Sequence, residues 1–216
     1  MPKTIVFLGP SLDRTSAEKI LPAEYRLPAK RGDILAAVDA GATIIGLIDG
    51  VFHQDSAVAH REILTAVKRG VVVVGASSMG ALRAAEMDTL GMIGIGKIYQ
   101  MYKEGTLISD DEVALVFDPI SGYALSEPLI NIRCTLKRAE TAGIITAADH
   151  AAFLAAARSV FYPQRTYPKI VSVAGGVIDV DTRERFLAYT EATPADQKKE
   201  DAIAAIEYIR TLKKGV

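Results

Sequence analysis

The sequence predicts an α/β fold, with a mostly parallel sheet and flanking helices in its N-terminal part and a helical C-terminal part. Three observations lead there. Short apolar runs at residues 4–8, 43–48 and 71–74 recur between stretches of helical periodicity, and such alternation argues for strand–helix–strand units covered on both faces. The run of four valines at 71–74 has no polar alternation, as expected of a central strand buried on both sides. Beyond Gly91 the alternation ends and apolar stripes at helical spacing dominate.

The elements follow in order. Residues 4–8 form a first strand that ends in the loop Gly9-Pro-Ser-Leu12. A helix follows Thr15, with Thr15 and Glu18 at capping-box spacing. Residues 25–27 read as a short edge strand stopped by Pro28, and residues 32–41 as a helix closed by Gly41. The strand at 43–48 runs into Asp49-Gly50. Val58, Ile63, Leu64 and Val67 then mark an amphipathic helix ending near Gly70. The valine strand passes through Gly75-Ala-Ser-Ser-Met-Gly80 into residues 81–87, which are rich in good helix formers. The glycine-spaced segment 91–96 reads as a bent loop, and its Gly-x-x-Gly-x-Gly order is not the dinucleotide fingerprint. Residues 113–117 and 123–125 could close as a hairpin. Leu129, Ile132, Leu136 and Ala139 form a helical stripe stopped by Gly143, Thr146 and Asp149 cap an alanine-rich helix, and a last helix spans about 199–212 with Ala202, Ile206 and Ile209 inward. The expected division is an α/β core at 1–118 and a mainly helical extension at 119–216 packed on it, the whole forming a single compact unit.

Composition narrows the function. A net charge of −1 supplies no basic field for nucleic acid. The single cysteine, Cys134, excludes an intrachain disulfide and a Cys-x-x-Cys pair, which suits a reducing compartment. No apolar run approaches the roughly 18 residues needed to span a bilayer, so neither a membrane anchor nor a signal peptide is expected, and the expected location is cytoplasmic. No nucleotide or metal motif stands out, so no cofactor and no metal are expected; the acidic run Asp110-Asp-Glu112 reads more readily as an element start than as ion ligands.

Chemistry-bearing residues gather in three loops. In open parallel sheets ligands bind beyond the carboxyl ends of the strands, where Ser11, Asp49 with His53, and Ser77 with Ser78 all fall. The spacing Ala76-x-Ser78-x-Gly80 differs by one residue from the Gly-x-Ser-x-Gly elbow that exposes a nucleophilic serine. A serine there is also a common helix N-cap. Its base could be a histidine, with His53 and His60 near the crevice, or a lysine near a helix start beside another cation, which describes Lys198 and Lys30. Arg83 and Glu86, three apart on the helix behind Ser78, could pair, and Arg83 could instead hold a carboxylate.

These residues resemble the TfuA-like proteins. The resemblance is carried by Phe7-Leu-Gly-Pro-Ser-Leu12, Arg31-Gly-Asp-Ile34, Ile48-Asp-Gly-Val-Phe52, His60-Arg-Glu-Ile-Leu64, Gly75-Ala-Ser-Ser-Met-Gly-Ala-Leu-Arg83 with Ala85-Glu86, Gly91-Met92 and Asp110-Asp-Glu-Val113, and more weakly by Asn131-Ile-Arg133 and Lys198-Lys-Glu-Asp-Ala202. It implies an accessory protein of a YcaO enzyme in peptide backbone thioamidation. Its sulfur source would be a ubiquitin-like carrier protein with a C-terminal thiocarboxylate, hydrolysed at a Ser-Lys site, and the peptide substrate would be met through the YcaO partner. Carried over, the serine falls on Ser78 and the lysine on Lys198, with Lys30 as second choice. Ser11, Asp49, His53, His60, Ser77, Arg83 and Glu86 are the expected binding residues. Two other readings remain: a non-catalytic adaptor that recruits the peptide, and a phosphate- or small-molecule-binding domain using the 76–80 turn.

Overall fold

The computed structural model describes residues 3–52, 56–118 and 122–214. Along the chain run β1 (Thr4–Phe7), α1 (Arg14–Ile20), β2 (Glu24–Arg26), α2 (Asp33–Asp39), β3 (Ile44–Leu47), α3 (His60–Lys68), β4 (Val72–Ala76), α4 (Met79–Met87), β5 (Ile93–Ile95) and α5 (Lys97–Lys103). After them come α6 (Leu129–Thr141), α7 (Ala147–Ser159), α8 (Tyr167–Val173), α9 (Val180–Ala192) and α10 (Gln197–Lys214). The chain divides into two compact units, one of Met1–Asp110 with Lys198–Val216 and the other of Asp111–Gln197. The sequence pattern alone places a boundary at 118 within a single compact unit and puts the last helix in the extension; the fold instead forms two units and returns that helix to the first.

The first unit is a parallel sheet in the order β2-β1-β3-β4-β5. Strand residues alternate between two buried layers because side chains alternate along a strand. Ile5, Phe7, Ile45, Leu47 and Val73 meet Ile34 and Ala37 of α2, Ile63 and Ala66 of α3, and Ala84 and Met87 of α4. Val6, Ile44, Val74 and Ala76 meet Ala17 of α1 and Ala202, Ala205, Ile206 and Ile209 of α10. Burial on both faces explains the unbroken valines of β4. Since α1 lies on one face and α2, α3 and α4 on the other, the chain reverses direction between β1 and β3. In a sheet of this order that reversal opens a crevice at the carboxyl ends of those two strands.

Helix α10 crosses its face of the sheet from the carboxyl edge to the amino edge. Near its start the Asp201 carboxylate accepts the Ile98 backbone N–H at 2.7 Å, capping α5 just beyond β5. Further on, the Ile209 side chain lies against Gly46 in β3, and Lys213 Nζ donates to the Pro22 carbonyl ahead of β2 at 3.0 Å. The fit of Asp201 demands glycine at position 96, where φ is +96° and a Cβ would stand 2.4 Å from the Asp201 carboxyl carbon.

Three local expectations are corrected. Residues 93–95 are strand β5 and not a bent loop: Gly94 is required because the Tyr99 ring packs on it, where a Cβ would sit 2.2 Å away. The cap of α1 is Asp13, whose carboxylate accepts Ser16 N–H at 2.8 Å, so the helix begins before Thr15 and the Thr15–Glu18 box is not formed. The anticipated hairpin is reduced to an antiparallel bridge between Phe117 and Ala124; its tip at 119–121 lies outside the described residues.

The second unit is helical. Leu129, Ile132, Leu136 and Ala139 of α6 pack with Phe153 of α7, Ile170 of α8 and Phe186 of α9. The Thr146–Asp149 capping box forms as the sequence implied, and α7 starts there. Two arginines fix the entry to this unit. Arg133 grips buried Glu112 with two bonds at 2.8 and 2.7 Å. Arg165, almost wholly buried, donates to Asp111 at 2.7 Å and to the carbonyls of Ala157 and Val160. The Asp111 and Glu112 carboxylates are thus in ion pairs. No helix among the described residues is long and apolar enough to cross a membrane.

Candidate functional site

The junction from β4 into α4 is governed by how close α4 approaches the sheet. A Cβ on Gly80 would stand 1.7 Å from the Leu47 carbonyl oxygen, and one on Gly75 would stand 2.3 Å from the Gly80 carbonyl oxygen. Only glycine allows both contacts. With α4 pressed in this way, Gly80 N–H donates to the Ile48 carbonyl at 3.2 Å and Ala81 N–H to the Ser78 carbonyl at 3.0 Å. An N-cap side chain normally accepts from the N–H two or three residues on, and here both donors are committed. Ser78 therefore occupies the N-cap position of α4 while its hydroxyl makes no capping hydrogen bond. The structural role most often filled by a serine at this place is not the role of Ser78.

Ser77, one residue earlier, has φ +66° and is the non-glycine residue with positive φ among those described. Ser78 N–H bonds the Ala76 carbonyl at 2.8 Å across it, so Ser77 centres a γ-turn of the strained, positive-φ kind. A serine held there costs about 1–3 kcal/mol. Strained strand-to-helix turns of this sort are how α/β hydrolases present a nucleophile, and the sequence carried no sign that Ser77 would be the strained residue.

The turn is tied to its neighbours by a buried chain of hydroxyls. Ser77 Oγ donates to Ser11 Oγ at 2.8 Å, and Ser11 Oγ donates to Asp49 Oδ1 at 2.7 Å. The other carboxylate oxygen of Asp49 accepts Gly9 N–H at 2.8 Å and Ser11 N–H at 3.1 Å. The loops after β1, β3 and β4 therefore meet at the reversal point of the sheet, as their positions after adjacent parallel strands led the sequence reading to expect. Asp49, Ser11, Ser77 and Ser78 are all buried, so the turn does not leave the Ser78 hydroxyl exposed as the elbow-like spacing implied: α4 is pressed onto the sheet at Gly80.

The two lysines differ. Lys30 is exposed. Lys198 is 2 % exposed, one turn ahead of Ala202 on the inward face of α10, at the carboxyl edge of the sheet. That end of α10 also faces the loop after β1: Asp13, held below the usual carboxylate range chiefly by the Ser16 N–H and hydroxyl, feels the charge of Lys199 as well.

A separate cleft of about 650 Å³ opens beside α3 and α4. It is bordered by Arg31, His60, Met79, Arg83 and Glu86 among others, and Ser11, Asp49, Ser77 and Ser78 are not part of its wall. Arg83 is fixed there by bonding the Val58 carbonyl at 3.0 Å and pairing with Glu86, which also meets His60 Nε2 at 2.8 Å. The Arg83–Glu86 pair read from their spacing is thus present. The expected binding residues fall into two groups, a buried polar chain and a cleft wall. His53 lies outside the described residues. His150, on α7, pairs with Glu140 at 2.7 Å. Among the described residues no cluster of histidine, cysteine and carboxylate side chains has the makings of a metal site.

A family model described as TfuA-like protein matches residues 49–166, more than half of the chain, from the Asp49 loop through β4, α4 and α6 to Thr166. No curated protein matches the chain.

Proposed function

Because the chain belongs to the TfuA-like family, which supports an accessory role in thioamidation, we propose that it releases sulfur from a thiocarboxylated ubiquitin-like carrier and supports a YcaO enzyme that thioamidates a peptide. The observation that carries this reading is Ser78. It stands at a strained strand-to-helix turn, and its hydroxyl is displaced from the helix cap because Gly80 and Ala81 spend their N–H groups elsewhere. A serine without its usual structural task is available for chemistry.

In the proposed reaction Ser78 Oγ attacks the thiocarboxylate carbon. Its proton passes to the neutral amine of Lys198, the C–S bond breaks, and the proton leaves with the departing sulfide as HS⁻. The carrier is left as an ester on Ser78. Water then attacks that ester, again losing a proton to Lys198, and the C–O bond to Ser78 breaks to return the hydroxyl and free the carrier carboxylate. The sum is thiocarboxylate plus water giving carboxylate plus hydrogen sulfide, with no oxidant or cofactor. Lys198 is preferred over Lys30 because it is buried on the inward face of α10 at the carboxyl edge of the sheet, on the side where the Ser78 turn lies, whereas Lys30 is exposed. Asp49, Ser11 and Ser77 hold the turn, and the cleft walled by His60, Arg83 and Glu86, which reaches Met79 next to Ser78, would receive the carrier tail.

Peptide-mapping mass spectrometry of the protein quenched during turnover tests the assignment. A carrier-tail ester on Ser78 is expected in the wild type and not in Lys198→Met, which lacks the base that acylation needs; intact peptide 78 with full turnover overturns it. The adaptor reading would take over if the protein bound the carrier and left its thiocarboxylate unchanged.

A further inference from the structure

We propose that Ser77 is a positioning residue, whose hydroxyl, linked through Ser11 to Asp49, holds the β4–α4 turn in the positive-φ form that aims Ser78. The inference rests on the reading of Ser78 as nucleophile and adds to it the device that orients the nucleophile.

Three observations carry it. First, φ at Ser77 is +66°, a region a serine does not choose and glycine enters freely, so some interaction must hold it there. Second, the Ser77 side chain is wholly buried and its proton is committed to Ser11 at 2.8 Å, which commits its own proton to Asp49 at 2.7 Å. Third, Asp49 is anchored in turn by the N–H groups of Gly9 and Ser11. The chain therefore links the ends of three adjacent strands and terminates on a fixed carboxylate. A serine in this arrangement is a tether. Its replacement by alanine keeps the preference for negative φ and removes the tether, whereas glycine removes the tether together with the preference it opposed.

Comparison of Ser77→Ala with Ser77→Gly tests this. The rate at which a fluorophosphonate labels Ser78, mapped by mass spectrometry, and kcat for carrier hydrolysis are read for each. Both should be roughly tenfold higher in Ser77→Gly than in Ser77→Ala, with KM alike. Crystal structures should show positive φ at residue 77 in the glycine variant and negative φ in the alanine variant. Ser11→Ala cuts the same chain from its other end and should match Ser77→Ala, which guards against a variant that fails to fold. Equal loss in Ser77→Ala and Ser77→Gly would mean that the Ser77 hydroxyl itself takes part and would overturn the tether, as would wild-type rates in both or a retained positive φ in Ser77→Ala. Should wild-type Ser78 resist the probe and the carrier remain intact, the nucleophile reading falls, and the two crystal structures still decide whether Ser77 tethers the turn.

Discussion

At the scale of single residues, the site depends on which hydrogen bonds are already taken. Ser78 would cap α4 in an ordinary helix, and loses that role because Gly80 N–H reaches Ile48 and Ala81 N–H reaches the Ser78 carbonyl. Removing its hydroxyl should thus cost less stability than the roughly 1 kcal/mol typical of a lost cap; urea melts of Ser78→Ala are expected to overlay the wild type within about 0.5 kcal/mol, while carrier hydrolysis is abolished. Gly80→Ala is the opposite case. Its methyl would meet the Leu47 carbonyl oxygen at 1.7 Å, a backbone atom that cannot swing aside, so a loss of about 1–3 kcal/mol or more is expected in the same melts. The motif at 75–83 was legible in the sequence as a strand–turn–helix with a serine at its centre. The division of labour between its two serines was not, because it depends on the approach of α4 to β3 and on a carboxylate that arrives from Asp49 through Ser11.

At the scale of elements, the sequence marked long, periodic segments well and short ones poorly. The valine strand, the α6 stripe and the Thr146 cap of α7 declare themselves through burial on both faces, helical periodicity and local cap chemistry. β5 escaped because its glycines follow from tertiary contacts: Gly94 makes room for Tyr99 and Gly96 for Asp201. The helical unit carries an internal charge conflict that yields a pH dependence. Burial, with the Asp196 carboxylate as a lesser cause, raises the Glu127 carboxyl above its ordinary 4.5. A carboxyl raised in the folded state adds stability below its unfolded pKa and loses that contribution as pH rises through the folded value. Glu127→Gln is therefore expected to raise the midpoint of thermal unfolding at pH 7 and to leave it unchanged below about pH 4, as followed by circular dichroism across that range. An unchanged midpoint at pH 7 would show that the folded protein bears the Glu127 charge without penalty.

At the scale of the whole molecule, the final helix returns to the first unit. Sequence reading placed it in a C-terminal extension because chain order is all that a sequence displays, and nothing local to 197–214 says which sheet its apolar stripe covers. Ala202, Ala205, Ile206 and Ile209 are buried with the strands, and a fully buried isoleucine truncated to alanine costs about 2–5 kcal/mol. Truncation after Ala195 is accordingly expected to leave a protein that limited proteolysis digests throughout residues 3–110, whereas one whose first unit stayed resistant would contradict this role for α10. The same return brings Lys198 to the carboxyl edge of the sheet, where Ser78 and the Asp49 chain stand, and so joins the architecture to the proposed chemistry. The most direct measurement is sulfide release from a thiocarboxylated carrier by the purified protein in the absence of its YcaO partner. The account predicts steady release by the wild type and none above the buffer rate by Ser78→Ala or Lys198→Met, each binding carrier as the wild type does; release by Ser78→Ala at the wild-type rate would contradict it.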